Sequence, residues 1–178
     1  MARASNRQAV LKPQDFYLLL ALAALGDQAA TTYPELAAFS GLSMSEVHAA
    51  LKRAAAARLL FFDGKQPRLA LPAFNEFLYH GARYAFPAVR GSMVAGVPTA
   101  HAAAPLNAQI APSADPPPVW PALEGSVRGV ALVPLYPSAP AAALRSEALH
   151  QNLALFDALR VGNTRERKLA QTLFEARS

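Results

Sequence analysis

Cysteine is absent from the 178 residues. Disulfides and thiolate metal sites are thereby excluded, and the redox compartment is left open. Charge is scarce as well. Asp, Glu, Lys and Arg make up 16% of the chain, below the roughly 25% of ordinary soluble domains. Hydrophobic residues make up 53%, a balance that excludes a disordered chain, which is poor in apolar residues and rich in charge. Long apolar runs are missing too. The ten residues from Phe16 to Leu25 form the most apolar stretch, far short of the ~20 that a membrane-spanning helix needs. Met1-Ala-Arg leads into no apolar core with a cleavage site, so the chain reads as cytoplasmic, with no membrane partner.

The motifs of common enzyme chemistries are also missing. The four histidines, His48, His80, His101 and His150, are scattered and form no His-x-x-x-His pair, so no metal site is expected. Gly125-Ser126 lacks the G-x-S-x-G frame that exposes a nucleophilic serine. Gly91, Gly96, Gly125 and Gly129 make neither a phosphate loop nor a dinucleotide fingerprint. The chain therefore reads as a non-enzyme without a cofactor. His80 reads as a packed or snorkelling helix residue, and His101 as a structural or interface residue.

What is present is a basic balance, net charge +5, which permits but does not prove binding to nucleic acid. Residues 1–72 carry eight Lys/Arg and five Asp/Glu, residues 73–144 three of each, and residues 145–178 six and four. The excess lies at the two ends. Eleven of the fifteen prolines fall between Pro87 and Pro140, which excludes a helical domain there.

Before that stretch the order reads helix, helix, helix, hairpin. Pro13 suits a first helical turn, and Phe16, Leu19, Leu20, Ala23 and Ala24 follow with helical spacing up to Gly26. Thr32-Tyr33-Pro34-Glu35 and Ser43-Met44-Ser45-Glu46 each match a capping box. The first opens a short helix ending at Gly41. The second opens a longer one striped by Val47, Ala50, Leu51, Ala54 and Leu59. Asp63-Gly64 between Leu59–Phe62 and Arg68–Leu71 signals a β-hairpin. Within Tyr33–Lys52, Ala37 is small where two helices cross, Gly41 sits in the turn, and Val47 packs the second helix back. On these residues the segment resembles the winged helix-turn-helix regulators of bacteria, the MarR-like group among them, over roughly residues 10–75.

The fold class that follows is mainly α with a small β-hairpin wing. A winged helix-turn-helix domain (1–75) precedes a linking helix and Pro-rich extended segment (76–140), then a C-terminal helical segment (141–178). The resemblance implies a sequence-specific DNA-binding transcriptional regulator, a repressor, with double-stranded DNA as its partner. Helix 43–58 would lie in the major groove from Ser43 onward, with Ser45, Glu46, His48 and Ala49 at base edges and Lys52 and Arg53 on phosphates. Lys65, Gln66 and Arg68 in wing 61–70 would touch the backbone or minor groove, and Arg3, Arg7 and Lys12 would form an arm on the backbone. Two other readings stay open: an antitoxin or autoregulator that binds a partner protein through its Pro-rich half, and a winged-helix scaffold without DNA binding.

A fourth helix is expected from Phe74 to Tyr84, and a short strand at Val127 and Val130 to Leu135. Around Arg83–Pro87, Pro116–Pro121 and Pro134–Pro137, aromatics interleave with prolines. This 83–140 stretch could wrap the protein's own core with Trp120 as anchor, dock a partner protein, or line a small-ligand pocket. Helices at Ala141–Arg160 and Thr164–Ala176 carry Leu149, Leu153, Phe156, Leu159, Leu169 and Leu173 on helical spacing. Such a stripe serves a core or the interface of a homodimer. Arg165-Glu166-Arg167-Lys168 reads as a solvated face.

Overall fold

A computed structural model describes residues 9–26, 31–111 and 113–177. Arg3 and Arg7 of the expected arm lie outside them. The first helix, α1 (Pro13–Leu25), begins with Pro13 and is capped through Asp15, whose carboxylate accepts from the Lys12 N–H at 2.8 Å. Every residue from Asp15 to Leu22 is buried, as befits a helix that is apolar on all sides. The ring of Phe16 lies within 5.7 Å of the rings of Phe74, Phe77, Phe86 and Phe156, centroid to centroid. One core thus gathers residues from both ends of the chain.

Helices α2 (Tyr33–Ser40) and α3 (Met44–Ala56) start at Thr32 and Ser43, and both capping boxes form. Gly41 turns the chain between them at φ +71°, a conformation that only glycine adopts without strain. Leu36, Val47, Ala50, Leu51 and Ala54 are buried and fix the pair against α1. A two-stranded antiparallel hairpin follows, β1 (Leu60–Asp63) and β2 (Gln66–Leu69), with Leu60 opposite Leu69 and Phe61 opposite Arg68. Next come α4 (Leu71–Glu76), one wide π turn at Phe77–Gly81, and α5 (Ala82–Ala85).

The second half overturns the expected fold class. Between the helices lies a further sheet of three strands, β3 (Arg90–Pro98), β4 (Pro118–Pro121) and β5 (Val127–Leu132). β3 runs antiparallel to both others, and β4 pairs with β5 in parallel, so the three strands close on one another. The stretch expected to be extended and loop-like therefore supplies a sheet of its own, and one hairpin with four residues in each strand, beside a mixed sheet, is not plainly a wing. Two physical features hid the sheet. Its prolines, Pro98, Pro118 and Pro121, occupy strand ends, where a missing donor is tolerated. Its glycines permit unusually close strands. A Cβ on Gly96 would meet the Trp120 carbonyl oxygen at 2.1 Å.

The expected long helix at 141–160 is two helices, α6 (Ala139–Arg145) and α7 (Glu147–Val161), broken where the Ser146 hydroxyl accepts from the Leu149 N–H. α8 (Thr164–Glu175) closes the chain, capped by Asn163 and Glu166. Leu149, Leu153, Phe156 and Leu159 of α7 are buried in the core, which leaves them no surface to offer a second copy. Trp120 is buried too, at 1% exposure. Its indole N–H donates to Asp157 at 2.7 Å. Asp157 also accepts from Thr99 at 2.8 Å and forms an ion pair with Arg160 at 2.5 Å. This buried knot fastens the mixed sheet to α7. No helix among the described residues is long and apolar enough to cross a membrane.

Candidate nucleic-acid interface

α3 is amphipathic, and its buried stripe decides which side chains face outward. Ser45, His48 and Lys52 are exposed and Ala49 is half-buried. Positions 45, 48, 49 and 52 follow the spacing of one helical face. The face ends at an open cleft of about 720 Å³ between α3 and the hairpin. His48, Lys52 and Ala55 line it from α3, Phe62, Lys65 and Gln66 from the hairpin, and Tyr33 from α2. The Tyr33 and His48 rings lie 5.9 Å apart. Among the described residues, no carboxylate lines this cleft. Four residues expected to touch DNA, His48, Lys52, Lys65 and Gln66, therefore converge on one surface. The Gln66 amide oxygen is buried there without a hydrogen-bond partner.

Other expected contacts are committed elsewhere. Arg53 turns away from that face toward α1. Its Nε and Nη2 donate to Asp15 at 2.7 Å and 2.6 Å, and Asp15 is fully buried. A guanidinium holding a buried carboxylate on two prongs has its charge answered within the protein. Glu46 is likewise engaged. Its carboxylate accepts from the Ser43 N–H at 2.8 Å, from Gln14 at 2.8 Å and from the Tyr136 hydroxyl at 2.8 Å. Those bonds favour the ionised form, the Ser43 backbone N–H foremost, and hold the carboxyl down to about 2. Ser43 is exposed but caps α3, its hydroxyl accepting from the Glu46 N–H at 3.3 Å. Arg68 is half-buried in β2, and Lys12 is exposed at the start of α1.

Two consecutive residues of α1, Gln14 and Asp15, thus grip α3 at Glu46 and Arg53, two turns apart. The sequence carries no sign of this latch, because its partners lie 32 and 38 positions apart. Tyr136 comes from further still, 90 positions from Glu46. Helical spacing does carry one signal. Positions 46 and 53 fall on the flank of α3, between its buried stripe and the face shared by 45, 48, 49 and 52.

Among the described residues, no group of three His, Asp or Glu side chains could hold a metal ion. His101 lies 3.7 Å from Glu166, and His80 is exposed. Of the aromatics interleaved with prolines in residues 83–140, Phe86 and Trp120 are buried in the core, and Tyr84 is 74% exposed. No protein-family model, no curated protein and no solved structure matches the chain.

Proposed function

We propose that the protein is a cytoplasmic, non-catalytic regulator of transcription that binds duplex DNA with the outer face of α3. The observation that carries this reading is the convergence of His48 and Lys52 of α3 with Lys65 and Gln66 of the hairpin on one open cleft. Ser45 and His48 stand where a helix in the major groove meets base edges, and their hydroxyl and imidazole groups can hydrogen-bond there. Lys52 and Lys65 supply charge to phosphates, which position a protein on DNA without reading its sequence. The latch to α1 supports the same reading, since a helix that reads bases must be held rigidly from its other sides. Glu46 and Arg53 belong to that support rather than to the contact surface. Two copies on a two-fold site is the arrangement this reading favours, with the dimer interface outside the buried stripe of α7.

The test is binding to a duplex from upstream of the protein's own gene and to random duplex across a salt series. Wild type is compared with a Lys52→Ala/Lys65→Ala variant. Wild-type affinity should fall steeply with salt. The variant's log–log slope should be shallower by about 2, since each phosphate neutralised by a side chain adds roughly 0.9 to the slope. A folded wild-type protein that binds neither duplex at low salt would sink the reading.

A further inference from the structure

We propose that Tyr136, in the loop between β5 and α6, is a positioning residue for DNA binding by α3. The inference rests on the DNA-binding reading above and adds a segment to it that lies far from α3 in sequence. The Tyr136 hydroxyl donates to Glu46 at 2.8 Å and accepts from the Gln14 side chain at 3.1 Å, while Gln14 donates to the same Glu46 oxygen at 2.8 Å. Three side chains from α1, α3 and the loop thus close a ring of hydrogen bonds around the first turn of α3. The Tyr136 ring stacks on Tyr17 of α1, with centroids 5.7 Å apart and planes 17° apart, which fixes the direction of the hydroxyl.

Two residues further on, the same loop grips the turn itself. The Ser138 hydroxyl donates to the Ser40 carbonyl at 2.9 Å, beside the Tyr17 hydroxyl, which donates to the same oxygen at 2.7 Å. A Cβ on Gly41 would lie 3.2 Å from the Ser138 Cβ, so the loop seats directly against the turn. The loop therefore touches the end of α2, the turn and the start of α3. None of these groups lines the cleft. Their polar groups are spent on one another and on the Ser40 carbonyl, so the action on DNA proposed for them is indirect, through the angle at which α3 presents Ser45 and His48.

Positioning and mere packing differ in what they change. Tyr136→Phe keeps the ring and its stacking and deletes only the hydroxyl. It should weaken duplex binding roughly tenfold, the scale of one hydrogen bond to a charged group. The salt slope should stay at the wild-type value, because every cation that meets a phosphate is still in place. If Tyr136 acts through Glu46, the effect should vanish in a Glu46→Ala background, a non-additivity read in DNA affinity. Emission from Trp120, the single tryptophan, reports folding of each variant. Should Tyr136→Phe fail to fold, Ser138→Ala takes its place, since Tyr17 still donates to Ser40; it too should weaken binding at constant slope. A folded Tyr136→Phe that binds as tightly as wild type, or equal losses with and without Glu46, overturns the inference. Wild type that binds no duplex is a different outcome: it removes the DNA-binding reading, and this inference falls with it.

Discussion

Arg53 and Asp15 face each other where α3 packs on α1, joined by two hydrogen bonds of 2.7 Å and 2.6 Å to a carboxylate with no solvent exposure. Truncating the arginine leaves that carboxylate buried without its counter-charge, with the Lys12 N–H still donating to it. Arg53→Ala should therefore destabilise the fold by about 3 kcal/mol, the cost of breaking a buried pair from one side. Urea denaturation checks this as a lowered midpoint at unchanged m-value. An Asp15→Ala/Arg53→Ala double variant should recover part of the loss. A stable Arg53→Ala whose DNA salt slope is shallower by about 0.9 would instead return Arg53 to the phosphate backbone.

Glu46 gives the fold an acid-side pH dependence of known sign. Its carboxyl is held down to about 2 in the folded protein, first by the Ser43 N–H, then by the Ser43 hydroxyl and Tyr136, against about 4.3 in an unfolded chain. A lowered folded pKa stabilises above the unfolded value and is lost as pH falls toward the folded one. The contribution should be complete at neutral pH and disappear between about pH 4.3 and pH 2. Glu46→Gln should flatten that part of the curve of thermal midpoint against pH. An unchanged curve would show that these bonds do not favour the charged form.

These two residues show what was legible in the sequence. Local signals were: Thr32 with Glu35, Ser43 with Glu46, Pro13, and Gly41 all stand at the helix ends their residue types announce, and each acts over a few positions. Long-range partners were not. Nothing local to Arg53 or Glu46 announces Asp15, Gln14 and Tyr136, which the fold brings beside them. The mixed sheet was illegible for the same reason. β3 and β4 are 19 residues apart in sequence, and prolines at strand ends resemble those of a loop. Val127 to Leu132, rich in valine, was the one strand of the three with a local signal.

Asp157 is the acceptor on which the sheet's attachment depends. It takes hydrogen bonds from Thr99 of the β3 end, Trp120 of β4 and Arg160 of α7, while 2% exposed. Asp157→Ala would strand the Arg160 charge and two donors in the interior. The expected cost is roughly 3 to 5 kcal/mol. Because Trp120 is the single tryptophan and is buried against this group, its emission should shift to the red as the sheet loosens. Asp157→Asn keeps an acceptor for Thr99 and Trp120, and should give a smaller loss with near-native emission. Equal losses in the two variants would place the whole effect on the missing charge.

Gly96 and Gly64 separate two reasons for a glycine. Gly64 turns the hairpin at φ +61° with open space where a Cβ would stand. Gly64→Ala should therefore cost about 1 kcal/mol, the strain of a left-handed L-residue alone. Gly96 has no such dihedral constraint, yet its Cβ would sit 2.1 Å from the Trp120 carbonyl oxygen and 3.0 Å from the Val119 side chain. The first obstacle is backbone and cannot swing aside. β3 and β4 would have to part at the rung where Gly96 faces Pro121 and Val97 faces Trp120. Gly96→Ala should cost about 3 kcal/mol or more, at the upper end of overpacking effects, and should expose Trp120 to water. Urea midpoints and Trp120 emission for the two variants test both claims together. If Gly96→Ala proves as mild as Gly64→Ala, the strands can separate cheaply, and close approach is not what requires glycine at that rung.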